Sequence, residues 1–87
     1  MNLHARAYPN PFGSNISVEV VCEQNEDVIF RLYNPTGKVI KMSYWKLVNG
    51  MNKIILDNLE RLTAGTYLIE LNNPNEETLY SVELLKE

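Results

Sequence analysis

An all-β fold, specifically an immunoglobulin-like antiparallel β-sandwich of about seven short strands, is predicted by three features of the 87-residue sequence. Apolar and polar residues alternate with a period of two through most of the chain, turn signals separate the alternating stretches, and no stretch carries the 3.6-residue period of a long helix. The connections are too short for the crossovers that parallel strands need. A strand with one apolar face needs a covering layer, and a second sheet supplies it. A small barrel is the alternative closure. The paired cysteines of antibody domains are absent, because Cys22 is the only cysteine.

Residues 1–7 lack a clear period and read as a flexible linker or tail, which sets the domain at residues 8–87. In Tyr8-Pro9-Asn10-Pro11-Phe12-Gly13-Ser14 the two prolines fix φ and favour extended neighbours, with Tyr8 and Phe12 as packing anchors. Ile16 to Cys22 is the first strand, with Ile16, Val18, Val20 and Cys22 on one face. Val28 to Tyr33 follows, with Val28, Phe30 and Leu32 inward, and Asn34-Pro35-Thr36-Gly37 then reads as a turn.

Lys38 to Val48 is read as a strand with Ile40, Met42 and Tyr44 in one phase. Trp45 breaks that phase, so a bulge is expected at Tyr44-Trp45. Asn49-Gly50 is a hairpin dipeptide leading into Lys53 to Asp57, where Ile54 and Leu56 face inward. Asn58 to Gly65 is a connection with room for one helical turn carrying Leu59 and Leu62. Thr66 to Leu71 is a strand with Tyr67, Ile69 and Leu71 on its apolar face. Asn72-Asn73-Pro74-Asn75 turns the chain into a last strand, Thr78 to Lys86.

Eight basic against eleven acidic residues give a net charge of -3, which argues against nucleic acid as a partner. Lys38, Lys41, Lys46 and Lys53 read as solvated strand faces, and Cys22 as a small core residue. No apolar run approaches the roughly 18–20 residues of a membrane span. Met1 to Arg6 does not form a signal peptide, so the chain either stays inside or is the tail of a longer exported protein whose signal lies upstream.

Catalytic chemistry finds little purchase. His4 is the only histidine, so a zinc site and a base for a nucleophile are both missing. Glu26-Asp27 and Glu76-Glu77 are adjacent acids in polar turns, not carboxylates facing across a cleft. Asp57, Asn58 and Glu60 match no calcium loop, and the four glycines sit at turns rather than in a phosphate loop. No cofactor or metal site is therefore expected. Asn15-Ile16-Ser17 is a glycosylation triplet of a kind common by chance. Tyr33, Tyr44 and Trp45 offer a second reading, stacking on sugar rings as a carbohydrate-binding module, which requires Trp45 exposed on a flat face.

These segments together resemble the type A C-terminal sorting domain of the type IX (Por) secretion system of Bacteroidetes. Tyr8-Pro9-Asn10-Pro11-Phe12 matches the family's opening segment, and Gly37-Lys38-Val39-Ile40 its Gly-x-Val/Ile-Val/Ile stretch. Gly50-Met51-Asn52-Lys53-Ile54-Ile55-Leu56 and Leu62-Thr63-Ala64-Gly65-Thr66-Tyr67 follow in the family's order. The end, Glu83-Leu84-Leu85-Lys86-Glu87, keeps the second basic position at Lys86, while Glu83 stands where the family usually carries Lys. The resemblance implies a non-catalytic sorting signal that sends an upstream cargo domain through the outer-membrane secretion machinery to the outside or the cell surface. It implies removal by a sortase-like peptidase. The motif residues it marks are Tyr8, Pro9, Asn10, Pro11, Gly37, Val39, Gly65, Tyr67, Leu84, Leu85 and Lys86. The last strand is the candidate signal, because an edge strand offers unpaired main-chain groups to a partner.

Overall fold

The computed structural model describes residues 3–87. Its seven strands are β1 (Leu3–Tyr8), β2 (Ile16–Cys22), β3 (Glu26–Tyr33), β4 (Val39–Leu47), β5 (Gly50–Leu56), β6 (Gly65–Asn72) and β7 (Thr78–Lys86). They form two antiparallel sheets, ordered β1-β2-β5 and β4-β3-β6-β7. The sandwich is immunoglobulin-like, with the fourth strand paired to the third. Each sheet is open, with β1 and β5 as the edge strands of one and β4 and β7 as those of the other among the described residues, so the barrel alternative does not hold.

The period-two pattern explains the core. Ile16, Val18, Val20 and Cys22 of β2 are buried, and so are Val28, Phe30 and Leu32 of β3 and Tyr67, Ile69 and Leu71 of β6. Each such side chain contributes about 1.5–3 kcal/mol on leaving water. Burial also pushes the Cys22 thiol upward in pKa, as an inert core cysteine requires.

Four local expectations are corrected. Leu3 to Ala7 is not a flexible tail: it lies in β1, which pairs with β2 from Leu3↔Cys22 to Tyr8↔Ser17. Its inward residues Leu3, Ala5 and Ala7 alternate with exposed His4 and Arg6, but two alanines carry too little apolar signal to show it. Met1 and Asn2 lie outside the described residues. The bulge falls at Ile40, where the register passes from Leu32↔Lys41 to Tyr33↔Val39, not at Tyr44-Trp45. This shift leaves Met42 and Tyr44 exposed and turns Trp45 inward, where its ring stacks on Phe30 at 4.5 Å and 11°.

Asn49-Gly50 does not close a hairpin, because β4 and β5 belong to different sheets. The Asn52 side chain holds this crossing: its Oδ1 accepts from Val48 N–H, and its Nδ2 donates to the carbonyls of Val48 and Val20. Between β5 and β6 there is a single turn closed by Leu62 N–H to the Leu59 carbonyl at 3.1 Å, not a helix. Leu59 is buried there and Leu62 packs against the core.

A candidate recognition surface where the two ends meet

After β1 the chain leaves the three-stranded sheet and crosses to the outer edge of β7. The Tyr8–Pro9 and Asn10–Pro11 peptide bonds on this crossing are cis. Phe12 then forms a parallel bridge with Lys86. Phe12 N–H donates to the Leu85 carbonyl at 2.8 Å, and Glu87 N–H donates to the Phe12 carbonyl at 3.2 Å. The Asn10 side-chain oxygen accepts from Leu85 N–H at 2.9 Å. The C-terminal part of the β7 edge is thus already paired. On that side no strand pairs with β7 before the bridge, among the described residues.

The Phe12 ring is buried and meets Tyr67 edge-on, with ring centroids 5.7 Å apart. Tyr67 sits opposite Leu84, and its hydroxyl donates to the Thr63 carbonyl at 2.7 Å. This is the tyrosine corner of immunoglobulin-like sandwiches, a hydroxyl anchored to the backbone a few residues upstream. It gives Leu62-Thr63-Ala64-Gly65-Thr66-Tyr67 a structural reason: the turn must present Thr63 to the buried ring. Gly65 lies opposite Lys86 with φ +149°, and a Cβ there would stand 2.7 Å from Pro35 Cγ. Only glycine fits both the backbone and the space.

Pro35 belongs to the turn that contains Gly37, and Val39 pairs with Tyr33 just beyond it. Tyr33 in turn pairs with Leu68 near the start of β6. The residues singled out in the sequence therefore gather at one end of the sandwich. Tyr8 ends β1 and leads through Pro9 to Asn10, whose side chain meets β7, Gly37 and Val39 close the β3–β4 hairpin, and Gly65, Tyr67, Leu84, Leu85 and Lys86 lie at the facing ends of β6 and β7. Leu85 is exposed, but Leu84 is buried. Lys86 is 6% exposed, and its Nζ donates to the Glu87 main-chain oxygen at 2.8 Å, so it is not a freely displayed cation.

On the outer face of the three-stranded sheet the Tyr8 hydroxyl and Arg6 Nε donate to the two carboxylate oxygens of Glu19, at 2.5 and 2.7 Å. These bonds, the tyrosine's first, hold the Glu19 carboxyl below the usual carboxylate range. Sequence reasoning missed this group because the Arg6↔Glu19 register depends on β1. The aromatic trio separates: Trp45 is stacked under Phe30, the Tyr33 hydroxyl is tied to Glu70 at 2.8 Å, and Tyr44 projects. The exposed Trp45 that sugar stacking requires is absent from the fold.

Residues 6–82 match the secretion system C-terminal sorting domain, nearly the whole sandwich from within β1 into β7. The chain belongs to that family of sorting domains. No curated protein matches it. The sorting domain's matched stretch takes in the Tyr8–Phe12 segment, both Asn-Pro turns and the tyrosine corner, and ends before Leu84. No helix among the described residues is long and apolar enough to cross a membrane.

Proposed function

We propose that this domain is a non-catalytic address that carries an upstream cargo domain through the type IX secretion machinery to the outside or the cell surface. Membership in the sorting-domain family supports export. The observation that carries the finer reading is the Phe12–Lys86 bridge: the opening motif and the terminal strand form one folded surface. A partner that reads this surface meets exposed Leu85, the Asn10–Pro11 backbone and the unpaired edge of β7 behind them. The signal is then a shape that exists only after folding.

A sortase-like peptidase needs extended, accessible backbone, which paired β1 does not offer. Its cut belongs upstream of Leu3, or follows the detachment of β1 from the sheet edge. An exported fusion lacking Thr78–Glu87 tests the address. Cargo held in the periplasm is the expected result, and unimpaired surface display would overturn the reading.

A further inference from the structure

β1 and β5 flank β2 on its two sides and are fixed to the sandwich by different means. Neither contributes a fully buried side chain among the described residues. β5 nevertheless turns Ile54 and Leu56 toward the core, whereas β1 turns in Leu3 and two alanines, Ala5 and Ala7. A methyl group takes little apolar area out of water, so the alanines hold their strand weakly. β1 rests instead on its ladder to β2 and on a polar contact at the outer face.

That contact is centred on Glu19 of β2. β1 engages both of its carboxylate oxygens, Oε2 through the Tyr8 hydroxyl at 2.5 Å and Oε1 through Arg6 Nε at 2.7 Å. The Arg6 guanidinium lies 5.0 Å from the Tyr8 ring centroid, so the two donors brace each other. The pair shields the Glu19 side chain, which is 13% exposed although it sits on the outer face. Charge-assisted bonds of this kind are stronger than neutral ones. Lys53 of β5 stands opposite Glu19 on the other side of β2. Loss of β1 therefore leaves the carboxylate in water beside a cation, not stranded.

Beyond Tyr8 the chain is anchored afresh. Pro9 and Pro11 have no N–H with which to continue a ladder. Asn10 accepts from Leu85 N–H, and Phe12 is buried against Tyr67 and bridged to Lys86. β2 keeps β5 as a partner along its whole length. The Ala7 backbone also bonds the Tyr80 hydroxyl on the other sheet, a neutral and weaker tie.

We propose that β1 is a releasable strap: it peels from β2 as a unit, hinged at Pro9–Asn10, and Glu19 is the latch that keeps it closed. Opening frees six residues, about 20 Å of extended chain, ahead of the Phe12 anchor. It bares the outer edge of β2 and leaves the Phe12–Lys86 bridge and the four-stranded sheet in place. The strap is a property of the sandwich and stands apart from the export reading; under that reading it supplies the accessible backbone that a peptidase requires.

Amide hydrogen exchange of the 87-residue chain, read residue by residue, tests the strap. Alternate residues of β2 point their N–H groups at β1 and at β5. The amides that face β1, and those of β1 that face back, are expected to be about tenfold less protected than the β2 amides that face β5. Glu19→Gln should lower the protection of this β1 set about a further tenfold, and that of the β3 and β6 core by a similar factor, because open and unfolded chains lack the latch alike. If Glu19 held something other than β1, its loss would lower core protection and leave the β1 set unchanged. Tyr8→Phe, which removes one bond and no charge, should act in the same sense by about threefold, and it carries the test if Glu19→Gln does not fold. Equal protection on the two sides of β2, or a β1 set unmoved by the variant, would each overturn the proposal.

Discussion

The two hairpin turns of the four-stranded sheet, 34–38 and 73–77, are built on one plan, and it is the fourth position that sets them apart. Each opens Asn-Pro. The asparagine N–H donates to the carbonyl four residues on, Asn34 to Lys38 at 2.8 Å and Asn73 to Glu77 at 2.9 Å. Gly37 and Glu76 return their N–H groups to the asparagine carbonyls, both at 2.9 Å. Each asparagine Oδ1 also accepts two main-chain N–H groups, from Thr36 and Lys38 in the first turn and from Asn75 and Glu77 in the second. The fourth position is left-handed in both, with φ +87° at Gly37 and +66° at Glu76. Glycine takes that conformation freely, whereas an L-residue is strained by about 1–2 kcal/mol. Glu76 is held there from outside, by Arg31 Nη2 at 2.8 and 3.0 Å from its two oxygens. One turn meets its backbone requirement locally, and the other offsets a violation through a contact 45 residues away.

The first turn is also docked, and this is where the comparison breaks most readily. Gly65→Ala drives a Cβ into Pro35 at a φ that disfavours any side chain. It should cost about 2–3 kcal/mol in urea unfolding. Adding Pro35→Ala should recover the steric part and leave the backbone part. Full recovery would show that Gly65 is needed for space alone.

Next in size is Gly37→Ala, where nothing lies within 4 Å of the added Cβ and only the backbone objects. A loss of about 1 kcal/mol is expected by the same measurement.

Glu76→Gly removes the strain and the ion pair together, so pH separates them. Hydrogen bonding to Arg31 lowers the Glu76 carboxyl below the usual carboxylate value. The stability it contributes is present above the ordinary glutamate pKa and is lost as pH falls through the lowered one. Below that window the glycine variant should be more stable than the parent by about 1 kcal/mol, the backbone relief alone. At pH 7 its advantage should shrink or reverse. Parallel stability curves for the two proteins across acid pH would show that Arg31 does not hold the second turn.

The same contrast explains what the sequence made legible. Turn rules and period-two alternation act over a few residues, so β2 and β7 appear at the bounds that Ile16–Cys22 and Thr78–Lys86 suggest. Gly37 at the end of the first turn was readable for the same reason. Where the cause lies across the fold, local rules failed. Ala5 and Ala7 have an inward side only because β2 pairs with them. Trp45 turns inward because Ile40 bulges and Phe30 offers a ring. Asn49-Gly50 joins two sheets because Asn52, anchored on the Val20 carbonyl of the neighbouring strand, also holds both main-chain groups of Val48. At the candidate site the motif residues were visible one by one, but their meeting was not. That Asn10 caps Leu85 is a contact over 75 residues of chain.

The smallest expected effect sharpens the claim that the turns share a plan. Asn34→Ala and Asn73→Ala each remove a side-chain oxygen that accepts two main-chain amides, with Thr36 Oγ1 as a third donor in the first turn. Water reaches both sites, so each loss should be modest, about 0.5–1 kcal/mol. Equal plans predict equal costs within a few tenths, together with faster amide exchange at Lys38 in one variant and Glu77 in the other. A markedly larger loss at Asn73 would mean that the asparagine, and not Arg31 alone, keeps Glu76 left-handed. The Asn73→Ala, Glu76→Gly pair would then be less damaged than Asn73→Ala by itself, because glycine no longer needs holding.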